Sequence, residues 1–380
     1  MGTLDNYKNI GLALSGGGIR AAAYHAGVIK YLAEINKLEH IAHVSSVSGG
    51  TLLIGLVFHL SGYTWPSSQS YTDNIFYKLR EIFFSKSLQS DAIKKMIFSP
   101  INWLHLFSRS NILAKSIYSV WEVKEKIDKL PSYPIWSING TTSETGKRFR
   151  LKQSQMGDYE LGYASTNSFL LAKAMALSAA FPFGFGPLSI NADQFDWKKK
   201  KSWNSSAQLV PIVPEFKTIH IYDGGLYDNL GIEPFFDIGK QQIKSSAGIG
   251  SIILSDAGAP YSKEMIPSIF RPFGRLSRII GVTMEQSRAL RVRSYVNFIT
   301  NNYGSGLYLQ IGVDPRKLLN QYQPKEHNTN WGESSWLSQD KILYTKNYKT
   351  TLRKLQHSDF DLIAQHGYET AKVNSILFDK

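Results

Sequence analysis

Three short stretches hold residues of the kind that could open an ester or cradle a phosphate. Ser15-Gly16-Gly17-Gly18-Ile19-Arg20 follows the apolar run Ile10–Leu14 and precedes a segment rich in helix formers. Glycines let backbone approach a ligand closely, and free N–H groups at a helix N-terminus favour negative charge, whether a phosphate or the oxyanion of a tetrahedral intermediate. Ser48 stands in Ser46-Val47-Ser48-Gly49-Gly50, between the apolar segment 41–47 and the helical pattern TLLIGLVFHL. A sharp strand-to-helix turn presents a serine Oγ as a nucleophile, with the pattern G-x-S-x-G. Here Ser46 replaces the first glycine and Gly50 keeps the second. Asp223-Gly224-Gly225 follows the strand-like HIY. An aspartate at the C-terminal end of a strand points into the crevice where α/β sheets place their sites, and could serve as general base to a serine.

Each stretch also has a plainer reading as a tight turn. Gly16-x-Gly18-x-x-Ala21 satisfies a dinucleotide pattern, but that site needs an acidic residue ending the second strand. That segment instead runs into Ser-Gly-Gly, and no phosphate-loop G-x-x-x-x-G-K-[ST] occurs. There is no cysteine, which excludes disulfides, thiol nucleophiles and Cys-ligated metals. The nine histidines include no H-E-x-x-H, and the pair His40/His43 has no acidic partner pattern, so no metal site is expected.

The elements that must position these residues follow from periodicity. Ile10–Leu14 reads as a strand, and 19–35 places Ile19, Ala22, Ala26, Ile29 and Leu32 at helical spacing. Residues 41–47 and 51–60 repeat the strand–turn–helix pattern. Further strands are expected at 133–139, 148–151, 219–222 and 250–255, the last ending at Asp256. Helices are expected at 168–180, over an Arg-rich stretch 271–294, and at 358–376. Strands alternating with helices predict an α/β fold, a central mostly parallel sheet flanked by helices. Residues 63–130 are helical, aromatic and basic, and read as an insertion in one domain spanning 1–380. Residues 190–206, with Lys198–Lys201, read as an exposed polar loop.

The 380 residues carry 43 Lys+Arg against 30 Asp+Glu, a formal net charge of +13. Such a surface attracts anions: nucleic acid, anionic head groups or phosphorylated small molecules. The N-terminus has no basic n-region or long apolar h-region, and the longest apolar run, 51–60, falls short of the roughly 20 residues of a membrane span. A soluble or peripheral protein is expected.

Taken together, GLALSGGGIRAAAYHAGVIKYL (11–32), SSVSGGT (45–51), ALSAAFPFGF (176–185), DGGLYDNLGIEP (223–234) and, more loosely, DFDLIAQHGYETA (359–371) resemble the patatin-like phospholipase family. The resemblance implies a three-layer sandwich and hydrolysis of glycerolipid acyl esters by a Ser–Asp dyad. Carried over residue by residue, Ser48 is the nucleophile and Asp223 the base. Gly16, Gly17 and Gly18 form the oxyanion hole with Arg20 closing that motif, and Gly50, Gly224 and Gly225 support the turns. It implies no metal or cofactor, membrane phospholipids as partners, and a cytoplasmic protein peripheral at the inner membrane surface. A triad enzyme would need a histidine, for which His220, His327, His357 and His366 are the candidates.

Some relatives of that family act in bacterial anti-phage (antiviral) defence, where a cyclic nucleotide switches on membrane degradation. That alternative adds a cyclic-nucleotide activator and a homo-oligomer to the same chemistry. A third reading, a non-catalytic nucleotide or nucleic-acid binder, lacks any recognised nucleic-acid module. Two more regions could meet lipid or phosphate. Residues 91–115 combine Lys94, Lys95, Arg109 and Lys115 with Met96, Phe98, Trp103, Leu104, Leu106 and Phe107. Arg271, Arg275, Arg278, Arg288, Arg291 and Arg293 face only Glu285 within their stretch. The plainer readings are an insertion packed on the core and a solvated basic face.

Overall fold

The computed structural model describes residues 4, 6–98, 109–182, 185–201, 208–258, 261, 265–267, 270–322 and 336–378. Twelve of the described strands form one sheet: β1 Ile10–Leu14, β2 Ile41–Ser46, β3 Ile135–Thr142, β4 Arg148–Leu151, β5 Gln155–Asp158, β6 Gly162–Ser165, β7 Leu188–Asn191, β8 Trp197–Lys200, β9 Leu209–Pro211, β10 Thr218–Asp223, β11 Ser251–Asp256 and β12 Gly306–Gln310. The helices that matter here are α1 Gly18–Glu34, α2 Gly49–Leu60, α3 Phe76–Ser85, α4 Leu88–Phe98, α5 Ser110–Val120, α6 Leu171–Ser178, α7 Pro272–Asn301 and α8 His357–Phe378.

The half of the sheet that carries the glycine loop and Ser48 is parallel, in the order β12-β11-β1-β2-β3. Beyond β3 the short strands β4, β5, β6, β8 and β9 continue antiparallel. Both faces of the parallel half are covered, so its inner strands β1, β2 and β11 are buried throughout. Side-chain alternation then sorts the core. Leu12, Leu14 and Ile253 enter the larger cluster under α1 and α2, whereas Ala13, Ile252 and Leu254 join Tyr295 and Phe298 of α7 on the other face. Helices α1 and α8 cross at two glycines. A Cβ at Gly27 would stand 1.7 Å from the Ala364 carbonyl, and one at Gly367 would stand 2.0 Å from that of Tyr24.

The register explains how residues 175 positions apart can meet. Strand β3 pairs with β4 along Ile138–Thr141, and on its opposite edge with β2 up to Ser46↔Ile138. Strand β10 pairs antiparallel with Gly140–Thr142, where β4 already holds the other edge. Therefore β2 and β10 lie in the same lane beside β3 and run head to head. Ser46 sits opposite Ile138 and Asp223 opposite Gly140, with Asn139 between them.

The expected loop at 190–206 is a different structure where it is described. Leu188–Asn191 and Trp197–Lys200 are strands, and residues 202–207 lie outside the described residues. Period-2 alternation is the reason: Trp197 is buried and donates its Nε1–H to the Ala192 carbonyl at 2.9 Å, while Lys198 and Lys200 face solvent. Lysines on a strand near the sheet's outer edge discourage pairing with other chains. The segment 91–115 divides into α4 and α5, while Trp103, Leu104, Leu106 and Phe107 lie outside the described residues.

Candidate active site

The Ser48 backbone holds φ 49° and ψ −115°, a conformation costly for any side chain larger than hydrogen. The turn leaves no room to relax. A Cβ at Gly49 would lie 2.1 Å from the Gly18 carbonyl oxygen, and one at Gly50 would lie 2.7 Å from that of Leu14. Beneath the turn runs a chain of donors whose direction can be deduced. The Ser178 hydroxyl donates to the Asn139 carbonyl at 2.7 Å, so it accepts from the Ser48 N–H at 3.0 Å and from Thr51 at 2.9 Å. The Thr51 hydroxyl then accepts from Ser46 at 2.8 Å, and Ser46 from the Trp136 indole N–H at 2.9 Å. Ser46, which breaks the G-x-S-x-G pattern, is thus a link in the scaffold that holds Ser48.

Asp223 ends β10, 3% exposed. Its carboxylate accepts the Gly225 N–H at 2.7 Å, and the Ser48 side chain is its polar neighbour. Burial pushes its pKa up from 3.8 to about 6, and the Gly225 N–H and the Ser48 side chain hold it from rising further. Gly224 and Gly225 leave space that side chains would fill: a Cβ at Gly224 would meet the Asn139 carbonyl at 2.5 Å, and one at Gly225 the Asn229 side chain at 2.8 Å.

The glycine loop supplies two donors rather than three. The Gly16 N–H is already spent on the Asn229 carbonyl at 3.0 Å. The N–H groups of Gly17 and Gly18 have no acceptor among the described residues, and both glycines line the cavity over Ser48. Gly17 adopts φ 145° and Gly18 φ 64°, backbone that L-residues avoid. No acidic residue stands in the first turn of α1 to offset the positive end of its dipole.

Arg20 does not face this cradle. Its guanidinium donates to the carbonyls of Tyr348 at 2.8 Å, Ala257 at 2.9 Å and Lys346 at 3.3 Å. Burial lowers its pKa to about 10, against a smaller opposing pull from Asp256, so it stays charged and braces the loop from behind. His25 braces it too. Burial lowers its pKa to about 4, so the ring is neutral; Nε2 donates to the Ser15 carbonyl at 3.0 Å and Nδ1 accepts from Ser255 at 2.7 Å.

Ser48, Asp223 and the glycine loop stand in the wall of a cavity of about 930 Å³. Ala92, Ile93 and Met96 of α4, Ile112 of α5, and Phe181 and Phe185 make an apolar wall. Arg109, Arg278 and Arg288 bring charge to the same cavity. Arg288 forms a tight ion pair with Asp256 and a second contact with Glu285 at 3.1 Å. Arg291 reaches Asp228 at 3.6 Å and Glu233 at 3.9 Å. Two of the six arginines expected to face phosphate or solvent are therefore spent inside the fold, because their carboxylate partners come from other elements.

No histidine lines the cavity among the described residues. His220 bonds Glu144 at 2.7 Å, His357 stacks on Phe84, and buried His366 accepts the Gly312 N–H at 2.8 Å; His327 lies outside the described residues. His43 is a core residue held by Ala247 and Ser137.

Several contributors escaped the sequence reading. Ser178 and Asn139 lie on separate elements from Ser48, and only β3 register brings them together. Asn229, His25 and Asp256 act through backbone or buried partners with no motif of their own. Asn229, His25 and Ser178 lay inside the quoted stretches 223–234, 11–32 and 176–185, and Asp256 at a strand end, but nothing in the residues marked the role of any of them.

Residues 12–236 match the family model "Patatin-like phospholipase". No curated protein matches the chain. Among solved structures, human GIVD cytosolic phospholipase A2 is similar in fold, with a TM-score of 0.54 at 12% identity over 99% of this chain and 62% of that one. The same enzyme in complex with methyl gamma-linolenyl fluorophosphonate and terbium chloride gives 0.52 at 12% identity, over 99% and 59%. The chain thus spans about three fifths of those proteins' length. With the family model covering more than half of its residues, the chain belongs to the patatin-like phospholipase family.

Proposed function

We propose that the chain is a lipid acyl hydrolase that cleaves carboxylic ester bonds of glycerophospholipids through Ser48 and Asp223. One observation carries the reading: a strained serine and a buried carboxylate whose pKa lies near 6 share one cavity wall, beside unengaged glycine amides in a largely apolar cavity.

The steps follow from that arrangement. The Asp223 carboxylate takes the Ser48 proton as Oγ bonds to the ester carbonyl carbon. The carbonyl oxygen gains the negative charge and meets the Gly17 and Gly18 N–H groups. Collapse of the intermediate breaks the bond to the glycerol oxygen, which receives the proton from Asp223. Water, deprotonated by Asp223, then attacks the acyl-enzyme; Ser48 leaves with the proton and the fatty acid is released. The apolar wall from α4 and α5 suits the acyl chain, and Arg109 and Arg278 suit the phosphate.

A base that works ionised sets the pH dependence. Below a pKa of about 6 the Asp223 carboxyl is protonated and cannot accept the Ser48 proton. We expect kcat/KM to fall roughly tenfold per pH unit below that value and to level off above it. A profile flat from pH 4.5 to 8 would remove Asp223 from the role.

Labelling tests the nucleophile. An alkyl fluorophosphonate should add one phosphonyl group per chain, on the peptide containing Ser48, and block fatty-acid release from phospholipid vesicles. An adduct on Ser45 or Ser46, or hydrolysis that survives full labelling, would overturn the assignment.

A further inference from the structure

We propose that the outward face of α7 is a docking surface for an anionic lipid bilayer. The inference rests on the lipid hydrolase reading for its choice of partner, and on the two faces of one helix for its geometry. Gly274, Ser277, Gly281, Met284 and Arg288, spaced three or four residues apart, line the cavity that holds Ser48. The opposite side of the same helix presents Ile279, 62% exposed, with Leu276 beside it, and Phe273, 79% exposed, stands at the edge of the cavity stripe in the first turn. Just before the helix, Met265 is 92% exposed and Ile266 69%. Large apolar side chains gathered this way mark a surface that another phase or partner covers.

Charge decides which. Arg271, immediately before α7, and Arg293, in its C-terminal half, are exposed, and half-buried Arg275 stands one turn from Ile279. The acidic residue of α7, Glu285, is on the cavity side and engaged by Arg288. A second copy related by two-fold symmetry would bring these arginines against their own kind with no carboxylate between them. Anionic head groups neutralise them while the apolar side chains enter the boundary of the acyl region. Because the other side of α7 is cavity wall, a bilayer held there is separated from the cavity by the thickness of one helix.

The test uses Ser48→Ala protein, so that vesicles survive the measurement. Co-sedimentation is compared on phosphatidylglycerol/phosphatidylcholine vesicles and on phosphatidylcholine alone. We expect binding to the anionic vesicles, weaker by about tenfold or more on neutral vesicles and at molar salt. Phe273→Asp/Ile279→Asp and, separately, Arg271→Glu/Arg293→Glu should each weaken anionic-vesicle binding by about tenfold or more. With Ser48 intact, both pairs should keep their circular dichroism and hydrolyse a dissolved short-chain ester at close to the parent rate. Absence of vesicle binding, binding unchanged in both pairs, or a lipid-free drop in sedimentation mass would overturn the proposal, the last in favour of a contact between copies. Failure of the parent to cleave the dissolved ester would instead remove the hydrolase reading, which vesicle binding by Ser48→Ala does not depend on.

Discussion

Replacing Asp223 with asparagine should cripple the reaction and stabilise the fold. Asparagine keeps the shape and can still accept the Gly225 N–H through Oδ1, but it cannot take the proton of Ser48. Loss of a general base costs roughly 10²–10⁴ in rate. Ser48→Ala should cost at least as much, and the double variant little more than the worse single, since in the proposed mechanism the two act as one unit. Stability moves the other way. A carboxyl whose folded pKa is raised to about 6 from 3.8 binds its proton more tightly in the folded chain than in the unfolded one. Its contribution is therefore most favourable below pH 3.8 and is lost as pH rises from there to about 6. A shift of that size corresponds to about 3 kcal/mol, which the asparagine variant escapes at pH 8 and does not need to escape at pH 3.5. Comparing the two proteins by urea unfolding at both pH values cancels the buried histidines, which titrate alike in each. Equal stability of wild type and variant at pH 8 would mean that the carboxylate is better solvated than its burial indicates.

That opposition between function and stability is the physical content of the site. Ser48 holds a backbone conformation that costs on the order of 1–3 kcal/mol, and Asp223 keeps a charge away from water. Neither would persist unless the surroundings over-determined them. The donor chain from Trp136 through Ser46, Thr51 and Ser178 to the Asn139 carbonyl, and the contacts that forbid a Cβ at Gly49 and Gly224, do so.

What could be read without coordinates was whatever is local. Ser48 and Asp223 each stand at the end of a strand, next to glycines, and a strand–turn–helix is written within a dozen residues. Their meeting was not local: it depends on β10 entering β2's lane beside β3, a consequence of which edge of β3 the strand β4 occupies. The glycine loop was legible as a cradle. Which amides stay unengaged was not, because the Asn229 carbonyl that takes the Gly16 N–H arrives from 213 positions away. Arg20 sits inside the motif and reads as part of it, yet its acceptors lie in segments 257 and 346–348. Lys198–Lys200 read as a loop because composition outweighed an alternation with one apolar member, Trp197.

Asp256 was legible as the residue ending a strand and nothing more, and its removal should have the largest effect on stability. It is fully buried, and its carboxylate gathers Arg288, the Tyr308 hydroxyl at 2.8 Å and the Gly258 N–H at 3.0 Å. Burial alone would depress the Arg288 guanidinium; the Asp256 charge overrides that and holds its pKa above the ordinary value. Arg288 lies on α7, so this pair pins the cavity-lining helix to the end of β11. Breaking a buried pair by removing one partner costs about 3–5 kcal/mol, because the other charge is left without compensation. Asp256→Asn should lose stability on that scale, whereas Asp256→Asn/Arg288→Met, which removes both charges at similar volume, should recover much of it. Among the described residues the Asp256 carboxylate bonds Arg288, Tyr308 and Gly258 rather than Ser48, Asp223 or the Gly17 and Gly18 amides. The folded fraction of the single variant should therefore still take the fluorophosphonate label on Ser48 at low temperature. Urea midpoints of the three proteins decide the matter: a single variant within about 1 kcal/mol of wild type would show that Glu285 alone can hold Arg288, and that α7 is anchored by its apolar contacts with Phe236 and the β11 face instead.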